Sequence, residues 1–277
     1  MLTPTADLIA EAYAAGTGVG AFNVLTLEHV QAVSAAAELT GRPAILQISH
    51  NAVRHHHDDV TPLADAALAV ARQSKARLAL HLDHVENDDL LHRTADCGAS
   101  SVMYDASRLS DEENVAATRA AVEWAHAQGL FVEAELGEIG GKGSAHTPGV
   151  RTDPEQAAAF VAATGVDALA VAVGSSHAMR TRSAELDLDL IARIRAAVPV
   201  PLVLHGSSGV PGEVLGAAVA HGMTKINVGT LLNVAFTGAV TATLRDAPTT
   251  VDPRRYLAAA REAATTVVAD CLRATTA

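Results

Sequence analysis

Cysteine is nearly absent. Cys97 and Cys271 are the two in 277 residues, too few for a disulfide framework, and cytoplasmic location is expected. Aromatic residues make up 3% of the chain, with a single tryptophan, so the core must be assembled from Ala, Val, Leu and Ile. Basic charge is short: 20 Lys and Arg stand against 31 Asp and Glu, a formal net charge of −11, which argues against nucleic acid as a partner. Long apolar runs are missing too. His, Asp, Gly or Arg interrupts each one before the roughly 18 residues that a membrane-spanning helix needs, so no membrane partner is expected. The opening residues, Met1-Leu2-Thr3-Pro4, lack the basic and apolar regions of a secretory leader. What remains is 49% hydrophobic, enough for one large α/β unit.

Short apolar runs alternate with stretches of helical spacing along the whole chain. The runs at 18–24, 44–49, 78–83, 101–105, 131–136, 168–173, 201–205 and 225–228 are too short for globular helices and predict eight strands. Between them the spacing is helical. In the stretch after Asp187, for example, Leu188, Ile191, Ile194 and Val198 fall on one stripe, with Asp187 as N-cap and Pro199 as stop. Strands buried on both faces and joined by helices imply a parallel sheet, and eight β-α units predict a closed (β/α)8 barrel spanning 1–277 as one domain. A doubly wound open sheet is the alternative. It is weakened because Gly16-Thr17-Gly18-Val19-Gly20 precedes its strand instead of leading from a strand into a helix.

Barrel active sites lie at the carboxyl ends of the strands. In this chain those ends carry Asn23, Ser49, Asp83 with His84, Asp105, Glu135, His177, His205, and Asn227 with Thr230. Each taken singly fits a helix cap or a loop hydrogen bond; as a set they suggest one mouth with a shared task. His84, His177 and His205 offer three imidazoles, the donor set of a catalytic zinc site, although a strand-end histidine can also be a plain hydrogen-bonding residue. His55-His56-His57 reads as a solvated turn because adjacent imidazoles point apart, and His81, inside a strand, reads as a satisfied core residue. The loops running 205–211 and 225–230 suit phosphate, because glycines admit an anion to the backbone and helix N-termini follow; a ligand-free Gly-Ser turn is the alternative. The longest connection, 137–152, is long enough for a lid.

Several segments resemble the class II, metal-dependent ketose-bisphosphate aldolases, whose members include the fructose- and tagatose-bisphosphate enzymes. They are Leu80-His81-Leu82-Asp83-His84, Val132-Glu133-Ala134-Glu135-Leu136-Gly137 with Gly140-Gly141, Val173-Gly174-Ser175-Ser176-His177, 202–211, and Ile226-Asn227-Val228-Gly229-Thr230. Gly20-Ala21-Phe22-Asn23-Val24, Gln47-Ile48-Ser49 and Ser101-Val102-Met103-Tyr104-Asp105 fit as well, so the resemblance runs in order from about residue 5 to about residue 245.

The resemblance implies that His84, His177 and His205 bind catalytic Zn2+ and that Asp83 exchanges a proton with the hydroxyl at the cleaved bond. Asp105 and Glu135 match acids that hold a displaced or second metal ion. Asn23, Ser49, Ala178, Gly206, Ser207, Ser208, Asn227, Val228, Gly229 and Thr230 fall at substrate positions, with a monovalent cation (Na+ or K+) near the phosphate. The implied substrate is a phosphorylated ketose, split into dihydroxyacetone phosphate and an aldehyde, and the expected assembly is a homo-oligomer, dimer or tetramer. Two other readings compete: a sugar-phosphate isomerase or epimerase, and a sugar-phosphate-binding protein that has lost catalysis.

Three departures from the family pattern stand out. The lid reads Gly140-Gly141-Lys142-Gly143-Ser144-Ala145-His146 where a Glu-Asp pair is usual; Ala178 and the Met179-Arg180-Thr181-Arg182 stretch replace a glycine and a lysine; and His50-Asn51 replace a small glycine. With the lid acids gone, His146 is the candidate base at the enediolate carbon, because its unperturbed pKa suits neutral pH; Glu138, Lys142 or a purely solvated His146 are the alternatives.

Overall fold

The computed structural model describes residues 1–136, 151–175 and 181–275. The eight expected strands are β1 (Val19–Asn23), β2 (Ala44–Ser49), β3 (Leu78–Val85), β4 (Ser101–Tyr104), β5 (Phe131–Glu135), β6 (Ala168–Ala170), β7 (Leu202–Leu204) and β8 (Met223–Val228). They close in sequence order, every pairing parallel, with β8 returning to β1, which excludes the open sheet. Outside them lie α2 (Leu27–Thr40), α4 (Thr61–Gln73), α5 (Asp88–Asp96), α6 (Asp111–Ala127), α7 (Pro154–Thr164), α8 (Leu188–Ala197), α9 (Gly212–Ala220) and α10 (Thr230–Asp246). The short helix α3 (His50–His55) rides on the end of β2, and α11 (Pro253–Ala274) completes the ring against α2 and α10.

Local signals account for the helix boundaries. Asp187 caps α8 by accepting from the Leu190 N–H at 2.9 Å, and α6 opens with a capping box in which Ser110 and Glu113 satisfy each other's backbone. The apolar outer faces of the strands meet the helices in one continuous cluster dominated by Ala, Val, Leu and Ile.

Inside the barrel the side chains stack in layers. The first helix, α1 (Thr5–Ala15), plugs the amino-terminal end with Leu8, Ile9 and Ala12 against Ala21, Ile45 and Ala79. Above this plug the inward positions become polar: Gln47, His81, Glu133 and Lys225 are each completely buried. β3 runs two residues beyond its expected end at residue 83, because a bulge after Leu82 carries the strand on through His84. β6 and β7 stop earlier than the apolar runs suggest, although Val171 and Val173 remain buried after the last ladder residue.

Candidate active site

A cavity of about 300 Å³ opens at the carboxyl ends of the strands, walled by Asn23, Ser49, Asn51, Asp83, His84, Gly206, Ser208, Asn227, Gly229, Thr230 and Asn233. Two imidazoles face each other beside it. His84 Nε2 and His205 Nδ1 are 3.2 Å apart, and the rings cross at 89°. The opposite nitrogen of each ring is committed to a carboxylate: His84 Nδ1 donates to Asp105 Oδ2 at 2.7 Å, and His205 Nε2 donates to Glu133 Oε1 at 2.8 Å. Lys225 Nζ donates to the other Glu133 oxygen at 2.7 Å.

Lys225 decides the tautomer of His205. The side chains of Lys225, Glu133 and His205 are at most 1% exposed, and a carboxylate that deep stays ionised only beside a cation. Ionised Glu133 can only accept, so the His205 proton sits on Nε2 and the Nδ1 lone pair faces His84. The Asn227 amide stands 3.0 Å from the same Nε2; with that nitrogen a donor, the oxygen end of the amide is the compatible one.

Two imidazole lone pairs directed at each other need a cation between them. A proton serves when no metal is bound. Burial by itself lowers the His84 pKa, but the Asp83 charge, the Asp105 hydrogen bond and the Glu135 charge outweigh it and raise the value to about 10. A metal ion fits equally well, since donor atoms of Asp83, His84 and His205 all lie within 4.8 Å of one another.

Asp83 is buried and half satisfied. Its Oδ2 accepts from Asn23 Nδ2 at 3.2 Å, and Asn23 Oδ1 accepts from Gln47 Nε2 at 3.2 Å. Its Oδ1 has no partner among the described residues, which leaves it available to a group entering the cavity. Asp105 sits one bond behind His84 and also accepts from the Ser107 backbone and hydroxyl. Burial would raise its carboxyl, but His84 and Ser107 together hold it well below the usual carboxylate range. Glu135 follows Glu133 on the same face of β5, buried, and its charge acts on His84.

The other expected residues divide between cavity wall and scaffold. Ser49 both lines the cavity and caps the helix His50–His55, accepting from the Ala52 N–H at 3.2 Å. Ser207 donates to the Leu204 carbonyl at 3.1 Å, and Ser208 accepts from the Leu231 N–H at 3.1 Å. Gly206 has φ +66°, left-handed backbone that suits glycine. At Gly229 a Cβ would stand 3.0 Å from Asn23 Oδ1. Val228 ends β8 in the core, and α10 starts at Thr230 on the cavity wall. His146, His177 and Ala178 lie outside the described residues. His55 is exposed but ends the helix His50–His55 instead of lying in a turn; His56 and His57 form the turn that follows, His57 exposed and His56 reaching the Leu25 carbonyl. His81 is satisfied on Nδ1 by Ser101 at 2.8 Å, while Nε2 has no partner among the described residues.

Sequence reasoning passed over Gln47, Glu133 and Lys225, and noted His50 only as the replacement of a small glycine. The first three were readable by period two, lying two residues before Ser49, Glu135 and Asn227 on the same inward face.

The family described as fructose-bisphosphate aldolase class-II matches residues 3–277. The chain belongs to this family. Among solved structures, the YdjI aldolase from Escherichia coli K12 is similar at 30% identity, covering 99% of this chain and 97% of its own, with a TM-score of 0.87. A putative fructose-1,6-biphosphate aldolase from Coccidioides immitis is also 30% identical, over 98% of this chain and 96% of that one, with a TM-score of 0.82. The fructose-bisphosphate aldolase from Campylobacter jejuni, 22% identical over 99% of this chain and 95% of its own with a TM-score of 0.82, speaks for the barrel alone. As a class II aldolase family member, the chain places its facing imidazoles and its half-satisfied aspartate at the mouth where barrel enzymes work.

Proposed function

We propose that the protein is a zinc-dependent aldolase that reversibly cleaves a phosphorylated ketose, such as fructose or tagatose 1,6-bisphosphate, into dihydroxyacetone phosphate and an aldehyde. The observation that carries this reading is the His84 Nε2 to His205 Nδ1 approach of 3.2 Å, beside Asp83. Nitrogens bound to one tetrahedral zinc at about 2.0–2.1 Å stand roughly 3.3 Å apart. His84, His177 and His205 would hold the ion, and Asp105 and Glu135 would receive a displaced or second one. When bound, zinc would act as a Lewis acid on the ketone and neighbouring hydroxyl oxygens, offsetting the charge that develops as the carbon–carbon bond breaks.

The chain's own residues do the rest. Asp83 takes the proton of the hydroxyl at the cleaved bond and returns one to the alkoxide in condensation. Asn23, hydrogen-bonded to Gln47, keeps the carboxylate aimed. The loops at 206–208 and 227–230 receive the phosphate and hydroxyls of the triose half, where α10 begins without a capping side chain from Gly229, and a monovalent cation would sit near the phosphate. His146 supplies the base at the enediolate carbon.

Purified, zinc-loaded protein should release triose phosphate from at least one ketose phosphate; interconversion without cleavage would make it an isomerase or epimerase, and binding without turnover a sensor. For His146→Ala, solvent-proton exchange into dihydroxyacetone phosphate should fall. Unchanged exchange there, with loss in Glu138→Gln, would move the base to Glu138.

The raised pKa of His84 fixes the pH dependence of metal uptake. With a value of about 10, the ring is protonated at neutral pH and must shed its proton to ligate. Zinc affinity should therefore rise about tenfold per pH unit from neutrality toward pH 10, with about one proton released per chain. Titration calorimetry in two buffers of different ionisation enthalpy measures that proton; none released would contradict the assignment.

A further inference from the structure

Asp83 and His84 are consecutive, and in a regular strand consecutive side chains leave opposite faces. Both nevertheless line the mouth. A bulge makes this possible: Leu82 pairs with Val102 and Val85 with Tyr104, so Asp83 and His84 together oppose the single residue Met103. His84 takes φ +50°, a left-handed conformation that non-glycine residues hold only where their surroundings impose it. A bulge also takes backbone groups out of the ladder, and these need partners elsewhere.

One partner comes from the helix His50–His55, at the position where the family's small glycine is replaced. His50 is 6% exposed, and its Nδ1 accepts from the Glu86 N–H at 3.2 Å. A neutral imidazole has one acceptor nitrogen, and here it is used on the residue that follows the bulged strand. One turn further along, Arg54 donates to the Glu86 carboxylate at 2.8 Å and to Asn51 Oδ1 at 3.1 Å, tying the same short helix to the same segment.

We propose that His50 is a positioning residue whose imidazole splints the carboxyl side of the bulge at Glu86, so that Asp83 and His84 face the mouth together. The proposal deepens the metal-site reading given above and rests on it: if His84 is a ligand, the splint sets the direction from which it approaches the ion. It also gives the departure at residue 50 a task, since a glycine there would have no side chain to offer the Glu86 N–H.

The test uses the full chain, with Co2+ as the probe because its visible absorption reports ligand geometry. His50→Leu keeps bulk but removes the hydrogen bond from the Glu86 N–H; His50→Gln offers an amide oxygen that can accept it. For His50→Leu, Co2+ affinity should fall about tenfold to a hundredfold, the ligand-field bands should shift, and the Glu86 amide of the metal-free protein should exchange faster. His50→Gln should recover a substantial part of all three. Wild-type affinity, bands and Glu86 protection in His50→Leu would overturn the proposal. If His50→Leu does not fold, His50→Gln decides: protection and Co2+ affinity largely retained together uphold the splint, whereas loss of either or both overturns it. A wild-type protein that takes up no Co2+ would overturn the metal-site reading instead, and Glu86 exchange in the variants would then judge the splint alone.

Discussion

Asp83→Asn is expected to retain the metal and the fold while losing cleavage by about two to four orders of magnitude, the usual worth of a positioned acid-base group. The geometry explains why the loss should be confined to chemistry. Asp83 is held by one hydrogen bond, from Asn23 Nδ2 to its Oδ2 at 3.2 Å, and an asparagine can keep that bond by turning its own carbonyl oxygen toward Asn23. Its amide nitrogen then occupies the place of Oδ1, the oxygen with no partner among the described residues. Shape and volume are nearly conserved, but the group at that place can no longer accept a proton. Steady-state cleavage kinetics beside metal analysis check this directly, and turnover within a few-fold of wild type would remove Asp83 from the mechanism. Exchange of solvent protons into dihydroxyacetone phosphate should continue in the variant, because that proton leaves carbon rather than the hydroxyl.

The sequence foretold the barrel because its signal is repeated eight times and each repeat is local. Apolar runs of strand length separated by helical spacing leave few other architectures, and capping residues such as Asp187 mark boundaries without reference to the rest of the fold. The mouth was legible for the same reason: a polar residue ending a buried strand stands out against Val and Leu. What stayed hidden depends on contacts far apart in the chain. Glu133 and Lys225 are 92 residues apart, and their pairing exists only after the barrel closes. Asp105 read as an acid for a second ion, and the structure adds a hydrogen bond to His84 that spacing alone cannot reveal. The bulge at His84 gave no compositional sign, since no glycine marks its left-handed residue.

Glu133→Gln should weaken metal binding more than loss of a distant carboxylate ordinarily would, because it disturbs both neighbours at once. In the native protein one Glu133 oxygen accepts from His205 Nε2 at 2.8 Å and the other from Lys225 Nζ at 2.7 Å. A glutamine has a single carbonyl oxygen to serve two donors. Turned toward Lys225, it directs its NH2 group at His205, which must then accept on Nε2 and carry its proton on Nδ1, the nitrogen that faces the metal. Turned toward His205, it sets an NH2 group against a buried ammonium. The ammonium is the costlier group to leave without an acceptor, since breaking one side of a buried ion pair destabilises by about 3–5 kcal/mol, so the first orientation prevails and His205 adopts the wrong tautomer. Zinc affinity should fall by about a hundredfold, the upper end for loss of a residue behind a ligand, with a lowered denaturation midpoint. The double variant Glu133→Gln/Lys225→Met separates the two effects. Without the ammonium, the glutamine oxygen is released to accept from His205 Nε2, so metal affinity should recover by at least tenfold over the single variant, and part of the lost stability should return with it. Imidazole 15N shifts of the metal-free proteins report the tautomer independently of affinity: protonated Nε2 in wild type and the double variant, protonated Nδ1 in Glu133→Gln. Wild-type metal affinity in Glu133→Gln, or a double variant no better than the single one, would show that Lys225 does not act on the site through Glu133.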